Sequence, residues 1–158
     1  MSTLTFTVYG IPAPQGSMGA FIPKGWKRAV LTSANKRMKP WRQEIAGAAL
    51  KAMEQKSLTC AGKSAAFQLC ATFHFQKPKS AKKSVTEKIT KPDLDKLLRS
   101  VLDALTGIIW VDDSQVVMIS ARKDFGQPGA TITVSEIDGL PPGKPVKHEA
   151  IKDDDLPF

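Results

Sequence analysis

The chain has 158 residues, 42% of them hydrophobic, enough for one globular domain with a real core. Its formal charge of +8 and isoelectric point near 9.6 favour polyanionic partners. No apolar run approaches the ~18 residues of a membrane-spanning helix, and Met1 to Gly10 lacks the basic head and apolar stretch of a signal peptide, so a cytoplasmic setting is expected.

Leu4, Phe6 and Val8 alternate with threonines, a period of two that predicts a strand. Gly10 to Gly19 reads as a Pro/Gly-rich loop, and Phe21 to Lys39 carries several basic residues. Pro40 suits a first helical turn, and Trp41, Ile45, Ala48, Ala49 and Ala52 supply apolar positions for a helix over about Trp41 to Met53. Phe67, Leu69, Ala71, Phe73 and Phe75 fall on one face of a second strand, with His74 on the other. Cys60 and Cys70 lack a paired C-x-x-C spacing and read as free thiols, and His74 and His148 form no ligand motif.

Gln76 to Thr90 is lysine-dense, has little apolar periodicity, and reads as a mobile loop. A helix starts near Asp93: Leu94, Leu97, Leu98, Val101, Leu102 and Leu105 make one apolar stripe, and Gly107 suits its stop. Val116 to Lys123 and Ala130 to Ile137 read as strands joined by the turn Gly126-Gln127-Pro128-Gly129, and the chain after Gly139 reads as a flexible tail. Four strands or so with two helices predict an α+β domain over residues 1–138, followed by a tail over 139–158.

Against a basic background stand the carboxylates Asp93, Asp95, Asp103, Asp112 and Asp113. Gathered acids repel, and oxygen-only sites suit Mg²⁺ or Mn²⁺. Asp93 can instead cap the helix, where the macrodipole favours negative charge. Asp95, Arg99 and Asp103 share a helix edge at i, i+4, i+8, so Arg99 serves either an ion-pair ladder or a phosphate. A turn ahead of Val116 would bring Asp112 or Asp113 back beside Asp93 and Asp95. Successive residues of an extended chain point opposite ways, so one of the two is expected as a direct ligand, and spacing does not choose between them.

Lys91-Pro92-Asp93-Leu94-Asp95-Lys96, Asp103-Ala104-Leu105 and Asp112-Asp113-Ser114-Gln115 resemble, in order and spacing, the motif of the RusA family of Holliday junction resolvases. Gly10-Ile11-Pro12-Ala13-Pro14-Gln15-Gly16-Ser17 and Lys39-Pro40-Trp41-Arg42 add to the likeness. The resemblance implies a single RusA-like domain in a homodimer, with a mixed sheet and two main helices. It implies Asp93, Asp95 and Asp113 as ligands of a catalytic Mg²⁺, replaceable by Mn²⁺, with Asp112 as a supporting acid. The family's lysine one turn past the second acid falls on Arg99, and its common asparagine on Lys96; Arg and Lys differ in reach and donor pattern. The activity implied is paired symmetric nicking of four-way junctions in recombination and repair, in a bacterial host and of phage or prophage origin. The alternative is a noncatalytic branched-DNA-binding protein that recruits host replication or repair factors.

Two basic segments are the expected DNA contacts: Lys24, Lys27, Arg28, Lys36 and Arg37, then Lys77, Lys79, Lys82, Lys83 and Lys88, joined by Lys91 and Lys96 of the motif. Trp26 suits a core position or a stack on a base. Residues 1–150 carry a net charge of +10, and the last eight carry −2. That segment, Asp153-Asp154-Asp155-Leu156-Pro157-Phe158, is similar to the acidic tip of bacterial single-stranded DNA-binding protein. It is expected either to engage host proteins that bind that tip or to fold back on the chain's own basic groove.

Overall fold

The computed structural model describes residues 3–137 except Ser17, Pro23, Trp26, Ala29 and Ala34. The tail, His148 and Trp26 therefore lie outside the described residues. In chain order the elements are β1 (Thr3–Tyr9), β2 (Met18–Phe21), β3 (Val30–Ser33), α1 (Met38–Gln55), β4 (Ala66–Phe75), α2 (Leu94–Leu105), β5 (Val116–Phe125) and β6 (Gly129–Ile137). A single 3-10 turn, Asp113–Gln115, leads into β5.

Four strands form one mixed sheet in the order β1-β6-β4-β5, while β2 and β3 pair antiparallel by themselves. β6 is antiparallel to both of its neighbours, and β5 runs parallel to β4. The turn at Gly126–Gly129 thus carries the chain across the end of β4 instead of closing a hairpin, with the Gly126 N–H bonded to the Phe75 carbonyl at 2.9 Å. Gly129 pairs with Tyr9 on one side and His74 on the other, and a Cβ there would lie 2.4 Å from the Val8 oxygen. Only glycine fits between the two strands.

The period-two pattern governs what is buried. Leu4, Phe6 and Val8 of β1, Leu69, Ala71 and Phe73 of β4, and Ala130, Ile132 and Val134 of β6 all point to the helical side. Trp41, Ile45, Ala49 and Met53 of α1 cover that face together with Leu97, Val101, Ala104 and Leu105 of α2. Trp110 is fully buried, packs on Phe67 with ring centroids 5.6 Å apart, and donates through Nε1 to Thr106 Oγ1 at 3.2 Å. The opposite sheet face carries hydroxyl pairs, Thr3–Ser135 and Thr5–Thr133, with His74 bonded to Thr131. Burying one face and wetting the other is the usual economy of a largely antiparallel sheet.

The sequence pattern underestimates some elements. α1 begins at Met38 and runs to Gln55, so Pro40 lies inside its first turn. The Gly10–Gly19 loop gives way to β2 at Met18, within a hairpin of two four-residue strands too short to show alternation. α2 ends as expected: Gly107 takes φ +80°, which a side chain would strain. No helix among the described residues is long and apolar enough to cross a membrane.

Candidate active site

α2 owes its start to Asp93, which sits at the N-cap with extended backbone, and to Asp95 in the first turn. The Asp93 side chain makes no capping bond and turns instead to Lys96, 3.1 Å away. That hydrogen bond, then the Lys96 charge, holds the Asp93 carboxyl below its usual range against desolvation, with lesser help from Lys91 and Lys123. Asp95 and Arg99 are exposed.

Asp93 opens onto a cleft of about 730 Å³. Ile11, Pro12, Pro14, Phe75 and Pro92 give it an apolar floor, and Lys36, Arg37, Lys88, Lys91 and Lys96 rim it. Two hydrogen bonds and one side chain hold the wall made by residues 11–16. Gln15 N–H donates to the Lys96 carbonyl at 2.8 Å, and Asn35 Nδ2 donates to the Pro14 carbonyl at 2.9 Å. Arg42 of α1 reaches both the Gln15 side chain and Asp103 of α2. Asp103 is therefore a helix-to-helix tie to Arg42 and not a rung of an i, i+4 ladder. Gln15 and Arg42 belong to the stretches that carry the family resemblance, but their pairing across 27 residues leaves no local signal in the sequence.

The lysine-dense connection is pinned at several points. Lys77 Nζ donates to the Val85 carbonyl at 2.6 Å and lies 5.8 Å from the centre of the Phe125 ring. Lys88 Nζ donates to Thr90 Oγ1 and the Lys91 carbonyl, both at 2.8 Å, and sits 4.8 Å over the Phe75 ring. Burial, then the neighbouring Lys123, lowers the Lys88 ammonium from its usual pKa. Lys123, a strand residue outside both basic segments, donates to the carbonyls of Thr90 at 2.8 Å and Pro92 at 2.9 Å. Lys24, Lys27, Arg28, Lys79, Lys82 and Lys83 are exposed, the Lys83 carbonyl taking a further bond from Lys77 Nζ at 3.3 Å.

The second acidic element is built differently. Asp112 caps the 3-10 turn, accepting from Ser114 N–H at 2.9 Å, and hydrogen bonding to the Ser114 side chain first and to its backbone second holds the Asp112 carboxyl below the usual range. Gln115 is buried: its Oε1 accepts from Val111 N–H at 2.9 Å and Asp112 N–H at 3.1 Å, while its Nε2 donates to the carbonyls of Gly62 and Ala65 at 2.9 and 3.0 Å. The glutamine of the motif is thus the peg that fastens the Asp112-Asp113 turn to the chain entering β4. Asp113 stays exposed.

Asp113 and Asp93 lie at opposite ends of the sheet. Gln115 fastens one turn to Gly62 and Ala65, just ahead of β4, whereas Phe75, the last residue of β4, lines the cleft of Asp93. Ten residues of strand, about 30 Å at ~3.3 Å each, separate those landmarks. The turn before Val116 therefore does not return Asp113 to Asp93 within one chain. Among the described residues, no three His, Cys, Asp or Glu side chains converge as metal ligands would. One chain alone does not fit a three-carboxylate cation site.

Two exposed carboxylates at a helix start, one of them lining a lysine-rimmed cleft on a basic α+β scaffold, suit a protein of the phosphodiester-handling, nuclease class. Residues 21–135 match the family described as endodeoxyribonuclease RusA, and the chain belongs to that family of Holliday junction resolvases. Its resolvases are generally dependent on divalent metal. The chain is also similar to the uncharacterized protein YqaN of Bacillus subtilis (strain 168), 28% identical over 148 residues, covering 87% of this chain and 99% of that protein.

Proposed function

We propose that the chain works as a homodimeric, Mg²⁺-dependent resolvase that nicks four-way junctions in symmetric pairs, with each site drawing carboxylates from both copies. The observation that carries the dimer is the separation of Asp113 from Asp93 and Asp95. β5 is an edge strand, and Val117, Met118 and Ile119 on it are 53, 46 and 43% exposed. An open apolar edge invites pairing, and a two-fold pair of identical strands is antiparallel and self-complementary. Such pairing moves Asp113 of one copy towards the Lys123–Phe125 end of the other. There Lys123 already touches Thr90 and Pro92, the residues leading into Asp93.

In that assembly Asp93 and Asp95 of one copy and Asp113 of the other would hold the cation, which would acidify a water and offset charge on the phosphate. Lys36, Arg37, Lys91 and Lys96 seat backbone phosphates in the cleft, contacts that position DNA without reading bases. Arg99, one turn beyond Asp95 and exposed, takes the lysine's place beside the scissile phosphate. Asp112 supports the site through the turn it caps.

The test is cleavage of a labelled mobile four-way junction with Mg²⁺ or Mn²⁺, beside linear duplex, at concentrations spanning the dimerisation equilibrium. Paired nicks that appear only where the dimer forms support the reading. Tight junction binding without cutting in either metal would replace it with the noncatalytic recruiter.

A further inference from the structure

The cleft has a feature that phosphate binding does not use. A DNA backbone needs the lysines of the rim, but nothing in it rewards an apolar floor. Ile11 stands at the lip of that floor, 58% exposed, with Pro12 and Phe75 buried beneath. An occupant that satisfies both parts carries carboxylates next to bulky apolar side chains. The C-terminal segment Asp153-Asp154-Asp155-Leu156-Pro157-Phe158 has that make-up, three carboxylates followed by two bulky apolar side chains.

We infer that the cleft of Asp93 is a docking site for the chain's own Asp153–Phe158 segment, which competes there with DNA. Leu156 and Phe158 cover the floor at Ile11, and the three aspartates meet Lys36, Arg37 and Lys91 at the rim. Within one copy Asp93 is the one acid that lines the cleft, and Lys96 neutralises it at 3.1 Å, so it does not repel the incoming ones outright. Reach is sufficient. β6 ends at Ile137 opposite Ala66, at the far end of β4 from Phe75. The sixteen steps from Ile137 to Asp153 extend up to about 50 Å, against the ~30 Å length of β4.

Tethering gives the segment an effective concentration of the order of millimolar, so even weak affinity keeps the cleft partly filled. Junction DNA then binds with its intrinsic affinity reduced by the unoccupied fraction. The docking stands on the cleft itself, while its effect on DNA rests on the function proposed above.

Two substitutions that change no charge separate these claims in the full-length chain: Phe158→Ala on the segment and Ile11→Asn at the exposed lip. Hydrogen–deuterium exchange is read over residues 10–16 and 88–97, and junction affinity by anisotropy in Ca²⁺ without cleavage. Faster exchange in both stretches in Phe158→Ala, reproduced in Ile11→Asn and not increased in the double variant, is the expected result. Junction affinity then tightens about two- to tenfold in Phe158→Ala. Unchanged exchange in Phe158→Ala overturns the inference and leaves the segment to an external partner. Faster exchange in chains that do not bind the junction upholds the docking and sinks the DNA reading instead.

Discussion

The two ends of β4 carry the two halves of one acidic motif, and they are held by opposite means. At the Phe75 end, Asp93 sits among cations: Lys96 bonds it, and Lys91 and Lys123 lie close enough to depress its pKa. At the Ala66 end, hydrogen bonds do the holding, with Gln115 gripping backbone on both sides and Asp112 capping the turn. The first end is a charged cleft whose parts are solvated and replaceable. The second is a rigid peg that presents Asp113 outward. Asp93 and Asp113, only twenty residues apart in sequence, are thereby divided, because α2 descends beside the sheet for twelve residues and β5 climbs back from its foot.

That division gives the largest predicted effect. Asp93→Asn and Asp113→Asn homodimers should each lose junction cleavage by on the order of 10³-fold or more, as is usual for a group central to the chemistry. Mixing and reassembling the two variants should restore nicking, since one of the two sites in a mixed dimer keeps all three acids. The restored activity should be confined to one strand per junction. A mixture as inactive as its parents would show that each chain builds its own site, and the proposed β5 pairing would fall.

The peg itself comes next. Gln115→Leu keeps the volume but leaves two backbone N–H groups and two carbonyls without their partner. Water reaches part of this turn, so the expected cost is about 2–3 kcal/mol, below the sum for four fully buried groups. Denaturant unfolding measures it, and cleavage should fall further than junction binding because Asp113 loses its position. No matching loss of stability is expected from Lys96→Gln at the other end, where the pair with Asp93 is exposed.

The tie between the helices is intermediate in size. Arg42 and Asp103 are 27 and 31% exposed, and Arg42 also holds Gln15. A double-mutant cycle with Arg42→Met and Asp103→Asn should give a coupling near 1 kcal/mol. Arg42→Met alone should additionally loosen residues 11–16 and widen the cleft, seen as faster amide exchange there. A coupling near zero would mean that Gln15, and not Asp103, is the partner that matters.

How much of this was legible in the sequence depends on whether local pattern or long-range pairing decides. Leu4-Phe6-Val8, the Phe67–Phe75 alternation and the leucine stripe of α2 identify their elements, because burial on one face leaves a period in the chain. The carboxylate-rich stretch identifies itself too, through order and spacing. The strand order β1-β6-β4-β5 is invisible locally: β5 and β6 look like hairpin partners, and only the sheet shows β4 between them. The split of the acidic motif has the same origin, since spacing along the chain does not say which end of a strand a turn returns to. Gln115 and Arg42 were missed because a buried polar side chain is defined by what it reaches, and Gly62, Ala65 and Asp103 lie far off in sequence.

The smallest effect belongs to the cationic end, and its sign follows from Lys88. Its ammonium is held below the ordinary lysine value of 10.5, first by burial and then by Lys123. A base whose folded pKa is depressed binds its proton less well in the native state than in the unfolded one. The penalty is complete below the folded pKa and is relieved as pH rises through it towards the unfolded value. Wild-type stability should therefore rise relative to Lys88→Met between neutral pH and about pH 10.5, by a modest amount because the group is only partly buried. Denaturant midpoints of the two proteins at a series of pH values measure the difference. A flat difference would mean that its bonds to Thr90 and Lys91, together with the Phe75 ring, fully compensate the ammonium. In that case the cationic end is as settled as the peg at the other, and the contrast between the two ends reduces to hydrogen-bond geometry.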